Sequence, residues 1–241
     1  MKRSCAYLAA LYLMALPAMA ETLRLGTSPD YRPFAFHGAG GTLQGFDISL
    51  GKALCKQLDT KCTWVEDEFA ELLPGLNAGH YDVVLAAVAI TAERQQQVDF
   101  TDSYDDALPR GVFVGIDKAS ADVETMSIGV AAGTVHEQHL KAANLNTRSF
   151  PSTEAAYGAL LAGEVDLVFG SPGELEPRVY RTSRAAAILG HEDIQAGSAA
   201  FAVRKGDTDL RLRLNKALAI LRADGSLARL RKTWFSPAED L

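Results

Sequence analysis

The eight-residue apolar run from Val83 to Ile90 constrains the fold of this chain more than any other segment. An unbroken apolar stretch of that length predicts a strand covered on both faces, as in a parallel sheet sandwiched by helices. Shorter strand-like runs recur at Leu23 to Thr27, Thr63 to Val65, Leu108 to Val114, Ser127 to Ala131, Val165 to Phe169 and Ala199 to Val203. Helical patterns lie between them. Phe46, Leu50, Ala53, Leu54 and Leu58 share one helical face, and Glu71 to Ala78 is stopped by Gly79. Thr91 and the pair Gly133-Thr134 can each open a helix, Thr153 to Ala162 is helical, and Asp209 to Lys232 is an amphipathic region broken near Asp224-Gly225. Strand alternating with helix predicts the α/β class with mostly parallel sheets. Ligand sites in such sheets lie beyond the carboxyl ends of strands. Three loops fit that place: Ser28 to Arg32, Ala87 to Arg94, and Ala132 to Val135.

The amino terminus predicts export. Lys2 and Arg3 precede an apolar stretch from Ala6 to Leu16, and Ala18-Met19-Ala20 offers small residues for a signal peptidase, so cleavage is expected near Ala20. The apolar stretch is shorter than the ~20 residues a membrane span needs, and no other segment is apolar enough to replace it. A periplasmic location without stable membrane insertion is therefore expected. The chain of 241 residues carries 30 Asp and Glu against 24 Lys and Arg, a formal net charge of −6. That balance argues against nucleic acid or an anionic membrane as partner. Cys5 would leave with the signal. Cys55 and Cys62 remain, too widely spaced for a Cys-x-x-Cys redox pair and without neighbours to complete a metal set, so a structural disulfide is expected in an oxidising compartment.

Arg94 follows the buried run and could clamp a carboxylate through its rigid guanidinium fork; the alternative is an exposed arginine paired with Glu93. Thr134, after Gly133, is either an anion site at a helix N-terminus or an ordinary cap. Tyr31 and Phe69 are cleft walls or core. His136 and His139 stand three apart on a helix, with a solvated face favoured over metal chelation. Ser171 and Glu174 follow the Val165 to Phe169 strand. Neither a metal nor a cofactor is expected.

Several motifs occur in a telling order: Leu25-Gly26-Thr27, Tyr31-x-Pro33-Phe34, Gly45-Phe46-Asp47-Ile48, Leu72-x-Pro74-x-Leu76, Ile90-Thr91-x-x-Arg94-Gln95-Gln96, Asp99-Phe100-Thr101, Ala223-Asp224-Gly225-Ser226 and Trp234-Phe235. Together they resemble the family-3 extracellular solute-binding proteins of polar amino-acid ABC transporters, such as the lysine/arginine/ornithine-, histidine- and glutamine-binding proteins. The resemblance spans Leu23 to about Phe235. It implies a two-lobed, type II periplasmic-binding-protein-like fold, two mostly parallel sheets joined by two crossover strands. Lobe 1 would take residues 21–105 and 200–241, and lobe 2 residues 106–199. A monomer would close about its hinge on a small ligand and present it to an ABC permease. By resemblance, Arg94 holds the ligand carboxylate, Thr134 assists it, Tyr31 and Phe69 wall the ligand, and Cys55 pairs with Cys62.

Departures from the family pattern leave the ligand's other end open. Ser171 stands where amino-acid binders use an aspartate for the ammonium, Ser28 where basic-ligand binders place an acid, and Ser49 at a second acid. Ala86, Ala87 and Ala89 occupy hydroxyl-bearing positions. A small carboxylate is the expected ligand. It is a keto acid, hydroxy acid or N-substituted amino acid, unless Glu174 or Asp30 supplies a displaced anion. The enzymatic alternative on this fold is a cyclohexadienyl dehydratase with Glu174 as general acid. A sensor module or an accessory protein feeding an oxidoreductase is a third reading.

Overall fold

The computed structural model describes residues 22–105, 107, 109–116, 123–181 and 186–235. The expected signal peptide, the first residue of the Leu108 to Val114 run and the extreme carboxyl terminus lie outside these residues.

The first half begins with β1 (Leu23–Thr27) and a small antiparallel sheet of β2 (Asp30–Tyr31), β3 (Ala35–His37) and β4 (Leu43–Gln44). Then come α1 (Phe46–Gln57), β5 (Cys62–Glu66), α2 (Leu72–Ala78), β6 (Val83–Val84), α3 (Ala92–Gln97) and β7 (Val98–Asp105). The second half holds β8 (Arg110–Ile116), β9 (Ile128–Ala131), α4 (Val135–Ala142), β10 (Thr147–Phe150), α5 (Thr153–Ala162), β11 (Leu167–Gly170), α6 (Pro172–Arg181) and β12 (Ala186–Asp193). The chain then returns to the first half through β13 (Ala199–Arg204), α7 (Thr208–Ala223) and α8 (Ser226–Phe235).

Two five-stranded sheets result, ordered β5-β1-β6-β13-β7 and β10-β9-β11-β8-β12. The chain passes between them twice, from β7 to β8 and from β12 to β13. The expectation of mostly parallel sheets needs correction, because both sheets are mixed. β1 pairs parallel with β5 and β6, and β9 with β10 and β11, but β13 and β8 each make two antiparallel pairings. The antiparallel side of each sheet is built from the strands that carry the chain between halves. Their polar content, as in Val98–Asp105 and Ala186–Asp193, hides β7 and β12 from an apolar-run reading.

The Val83 to Ile90 run is buried as expected, with Val83, Val84, Leu85, Ala86 and Val88 at most 3% exposed. Only Val83–Val84 is regular strand. Ala87 turns into the left-handed region at φ +48°, and Ala89 keeps a single bridge to Ala199. Asp47, fully buried at the start of α1, stabilises that kink: its Oδ2 accepts the Ala87 N–H at 2.7 Å. Burial pushes the Asp47 carboxyl up to about 7, against the opposing bonds from the Ala87 N–H and the Tyr104 hydroxyl. Asp47→Ala is expected to lower stability by about 1–3 kcal/mol, because the Ala87 N–H loses its carboxylate acceptor in a strained backbone. The measurement is the urea midpoint, and Asp47→Asn, which keeps an acceptor, should lose less.

The largest core packs α1, α7 and the first sheet around Phe46, Leu50, Leu54, Tyr104, Phe201, Leu214 and Leu218. Cys55 and Cys62 are bonded, Cα to Cα 6.1 Å, tying α1 to β5 as expected. Ser49 accepts the Trp234 Nε1–H at 3.1 Å, which docks α8 on α1. Among the described residues no helix is long and apolar enough to cross a membrane.

Candidate ligand-binding site

The three expected loops converge on one cavity between the two halves, with an empty volume of about 670 Å³, open solvent at its mouth included. That is the size of a small-molecule site. Tyr31, Phe69, Ala87, Ala89, Arg94 and Thr134 all line it, joined by Asp30, Thr153, Phe169 and Glu174.

Thr91 caps α3 by accepting the Arg94 N–H, which sets Arg94 on the first turn after the kinked apolar run. The arginine is only 4% exposed, so the reading of a surface residue paired with Glu93 does not hold. Its Nη1 donates to the Ala89 carbonyl at 2.7 Å and its Nη2 to the Gly133 carbonyl at 2.9 Å. The second bond links the halves, since Gly133 follows β9. Among the described residues no carboxylate forms an ion pair with this guanidinium. Burial pushes its pKa down to about 10, with Glu93 only partly opposing. A buried cation bound by carbonyls alone lacks the anion that would offset its desolvation.

Thr134 is the N-cap of α4: its Oγ accepts the Glu137 N–H at 3.2 Å and donates to the Ala131 carbonyl at 2.8 Å. The Glu137 carboxylate takes the Gly133 N–H at 2.8 Å, while the Thr134 N–H has no acceptor among the described residues. Gly133 has φ +71° and stands so close to the other half that a Cβ there would lie 2.9 Å from the Ala70 Cα. No larger residue fits.

The far side of the cavity differs from the sequence reading at two positions. Ser28 is 3% exposed and does not line the cavity; its hydroxyl donates to Asp30 Oδ1 at 2.9 Å, and Asp30 reaches the cavity instead. Ser171 lines a neighbouring cleft that shares Tyr31, Ala87, Ala89, Pro109 and His136, and it hydrogen-bonds the Tyr31 side chain. In its stead Glu174, on the first turn of α6, enters the main cavity. Its Oε2 accepts the Thr153 hydroxyl at 3.1 Å. Burial, reinforced by the charge of Asp30, pushes the Glu174 carboxyl up to about 8. Tyr31 stacks on Phe34 with centroids 4.8 Å apart, and the Arg94 guanidinium carbon lies 5.5 Å from the Phe69 ring centre.

The favoured reading of His136 and His139 as a solvated face is wrong. His136 is buried, lines the cavity, and donates from Nε2 to the Arg110 carbonyl at 3.0 Å. Burial pushes it down to about 4, so it is neutral at pH 7. His139 stacks on Phe169 with centroids 5.6 Å apart and pairs with Glu192. Among the described residues no group of three or more ligating side chains could hold a metal ion. His136, Thr153 and Phe169 line the cavity as well, and their position at or just after strand ends is the only sequence signal of that placement.

The model of the bacterial extracellular solute-binding proteins, family 3, matches residues 23–237. The chain belongs to this family. Among family-3 relatives, it is 34% identical over 234 residues to the histidine-binding periplasmic protein of Salmonella typhimurium, covering 92% of this chain and 90% of that protein. It is 31% identical over 242 residues to the L-arginine-binding protein of Pseudomonas aeruginosa, covering 94% and 93%. An ancestral arginine-binding protein bound to arginine superposes with a TM-score of 0.80 at 32% identity, over 89% of this chain and 98% of that structure. All three are named as binding proteins. Solute capture between two α/β halves is thus the family setting in which the cavity stands.

Proposed function

We propose that this chain is the periplasmic solute-binding component of an ABC importer, and that it captures an amino-acid-like carboxylate between lobes comprising residues 21–105 with 200–241 and residues 106–199. The single observation that carries this reading is Arg94, buried at the cavity between the halves and lacking an acidic partner among the described residues. A ligand carboxylate completes that guanidinium with a charge-assisted pair and takes the Thr134 N–H. Tyr31 and Phe69 cover the apolar part of the ligand, and the small side chains of Ala87 and Ala89 form its floor. Because the carboxylate would engage groups from both lobes, it favours the closed arrangement over the open one, and the closed form is what a permease reads.

Thermal shift and native mass spectrometry against amino, keto and hydroxy acids test the reading. A true ligand at ~100 times its dissociation constant adds about 2.7 kcal/mol of stability. Absence of any shift across the carboxylate series would sink the proposal. Conversion of prephenate to a decarboxylated, dehydrated product would replace it with the dehydratase alternative.

A further inference from the structure

Resting on that reading, we propose that the cleft beside the main cavity is a second subsite for the same ligand, taking an acid-ended arm carried on the ligand's α-nitrogen. The substrate class is then an N-substituted amino acid with a carboxylate at each end, the first on Arg94 and the second beside Arg32.

The cleft adjoins the cavity along Tyr31, Ala87 and Ala89, which line both. Its empty volume is about 970 Å³, open solvent included, against about 670 Å³ for the cavity itself. Each space is of the size that takes a small molecule, and one unsubstituted amino acid leaves the second unused. Ala87 and Ala89 carry no bulk beyond a methyl, so an arm can run over them from one space into the other. With the ligand carboxylate on Arg94 and its side chain under Tyr31 and Phe69, the α-nitrogen is the substituent left to carry that arm. Pro33, Phe34 and Phe235 offer apolar wall to its methylenes. The cleft's charge is cationic. Arg32, Arg110 and Arg231 line it, and Arg231 already holds the one lining acid, Asp105, at 2.7 Å. Arg110 pairs with Asp193, both largely exposed. Arg32 lies over Phe36, 3.7 Å from the ring centre, and its Nη2 donates to the His37 carbonyl at 3.2 Å. No carboxylate pairs with it among the described residues. Burial, then the like charges of Arg181 and Arg178 on α6, push the Arg32 pKa down. Glu154 offsets Arg178, but the Arg181 Nε donates to the Pro177 carbonyl rather than to an acid. Cations from both halves therefore meet at this seam short of an anion. A Gly173 Cβ would stand 3.7 Å from the Arg32 carbonyl, which is how closely the halves approach there. A carboxylate on the arm supplies the missing charge to the Arg32 guanidinium fork.

Isothermal titration of the purified protein with L-arginine, N-acetyl-L-arginine and N-succinyl-L-arginine tests the subsite. Arginine is the parent because the ancestral arginine-binding protein of similar fold holds it. The acetyl probe substitutes the nitrogen without a charge, and the succinyl probe adds the second carboxylate. The succinyl probe is expected to bind about tenfold or more tightly than the acetyl probe, the scale of hydrogen bonds to a charged group. Arg32→Gln should remove that gain and leave both acetyl-probe affinity and the melting temperature unchanged, since Arg32 is exposed and bonds only one backbone carbonyl. Inorganic phosphate separates an arm from a free ion. Competition with the succinyl probe but not with L-arginine supports the subsite, whereas tighter L-arginine binding in phosphate assigns the cations to a separate ion and overturns the arm. Equal affinity for the two substituted probes, or a gain that survives Arg32→Gln, overturns the inference. If L-arginine binds and neither substituted probe does, the carboxylate reading stands and the second subsite falls. If none of the three binds, the subsite falls and the wider acid series decides the reading.

Discussion

Replacing Arg94 with alanine is expected to abolish ligand binding while leaving the unliganded protein folded and melting within a few degrees of wild type. Truncating one partner of a buried, hydrogen-bonded charge pair costs about 2–5 kcal/mol or more, at least a 30-fold loss of affinity. The unliganded fold should tolerate the change for a specific reason. Arg94 contributes two bonds to the Ala89 and Gly133 carbonyls, but burial of its charge opposes them, as the guanidinium pKa of about 10 records. Removing the group loses the bonds and the desolvation cost together. Calorimetric titration and a melting curve of the same preparation check both halves of the prediction. A variant that still binds at wild-type affinity would remove Arg94 from the site. Arg94→Lys should recover little, because an ammonium cannot reproduce the planar fork that spans two carbonyls and a carboxylate.

The second large effect concerns the Cys55–Cys62 disulfide. Replacing both cysteines with serine should destabilise the protein by about 2–3 kcal/mol, since a loop of about eight residues is released in the unfolded chain. For a chain of this size that corresponds to a melting temperature lower by roughly 5–10 °C. Neither cysteine lines the cavity, so affinity measured well below the transition should be unchanged. Equal melting of the double variant and the oxidised wild type would contradict the stabilising role.

Much of this architecture is legible locally. The caps at Thr91 and Thr134 and the break near Asp224-Gly225 appear in the structure where the residue pattern places them. So do α1, α5 and most of the strands carrying apolar runs. The three loops at strand ends also meet in one cavity, because the order of strand and helix puts the carboxyl ends of neighbouring strands on one side of each sheet.

The composition of the cavity's far side was not legible in the same way. By resemblance Ser28 and Ser171 stand where the family places acids, yet the carboxyls in the cavity belong to Asp30 and Glu174. Which of two residues three apart enters a cavity depends on the rotation and seating of α6 against β8 and β12, set by contacts among elements distant in the chain.

The sequence by itself determined the α/β alternation, the helix caps, the candidate export signal, the cysteine pair and Arg94's place after a buried run, because each depends on residues within a few positions of one another. Only the tertiary structure decided the mixed pairing of the sheets, the kink that Asp47 holds at Ala87, the burial of His136 and the meeting of Asp30 with Glu174. Those features depend on which strands pair and which helix faces turn inward. Both are settled by burying apolar surface across the whole chain rather than by any local preference.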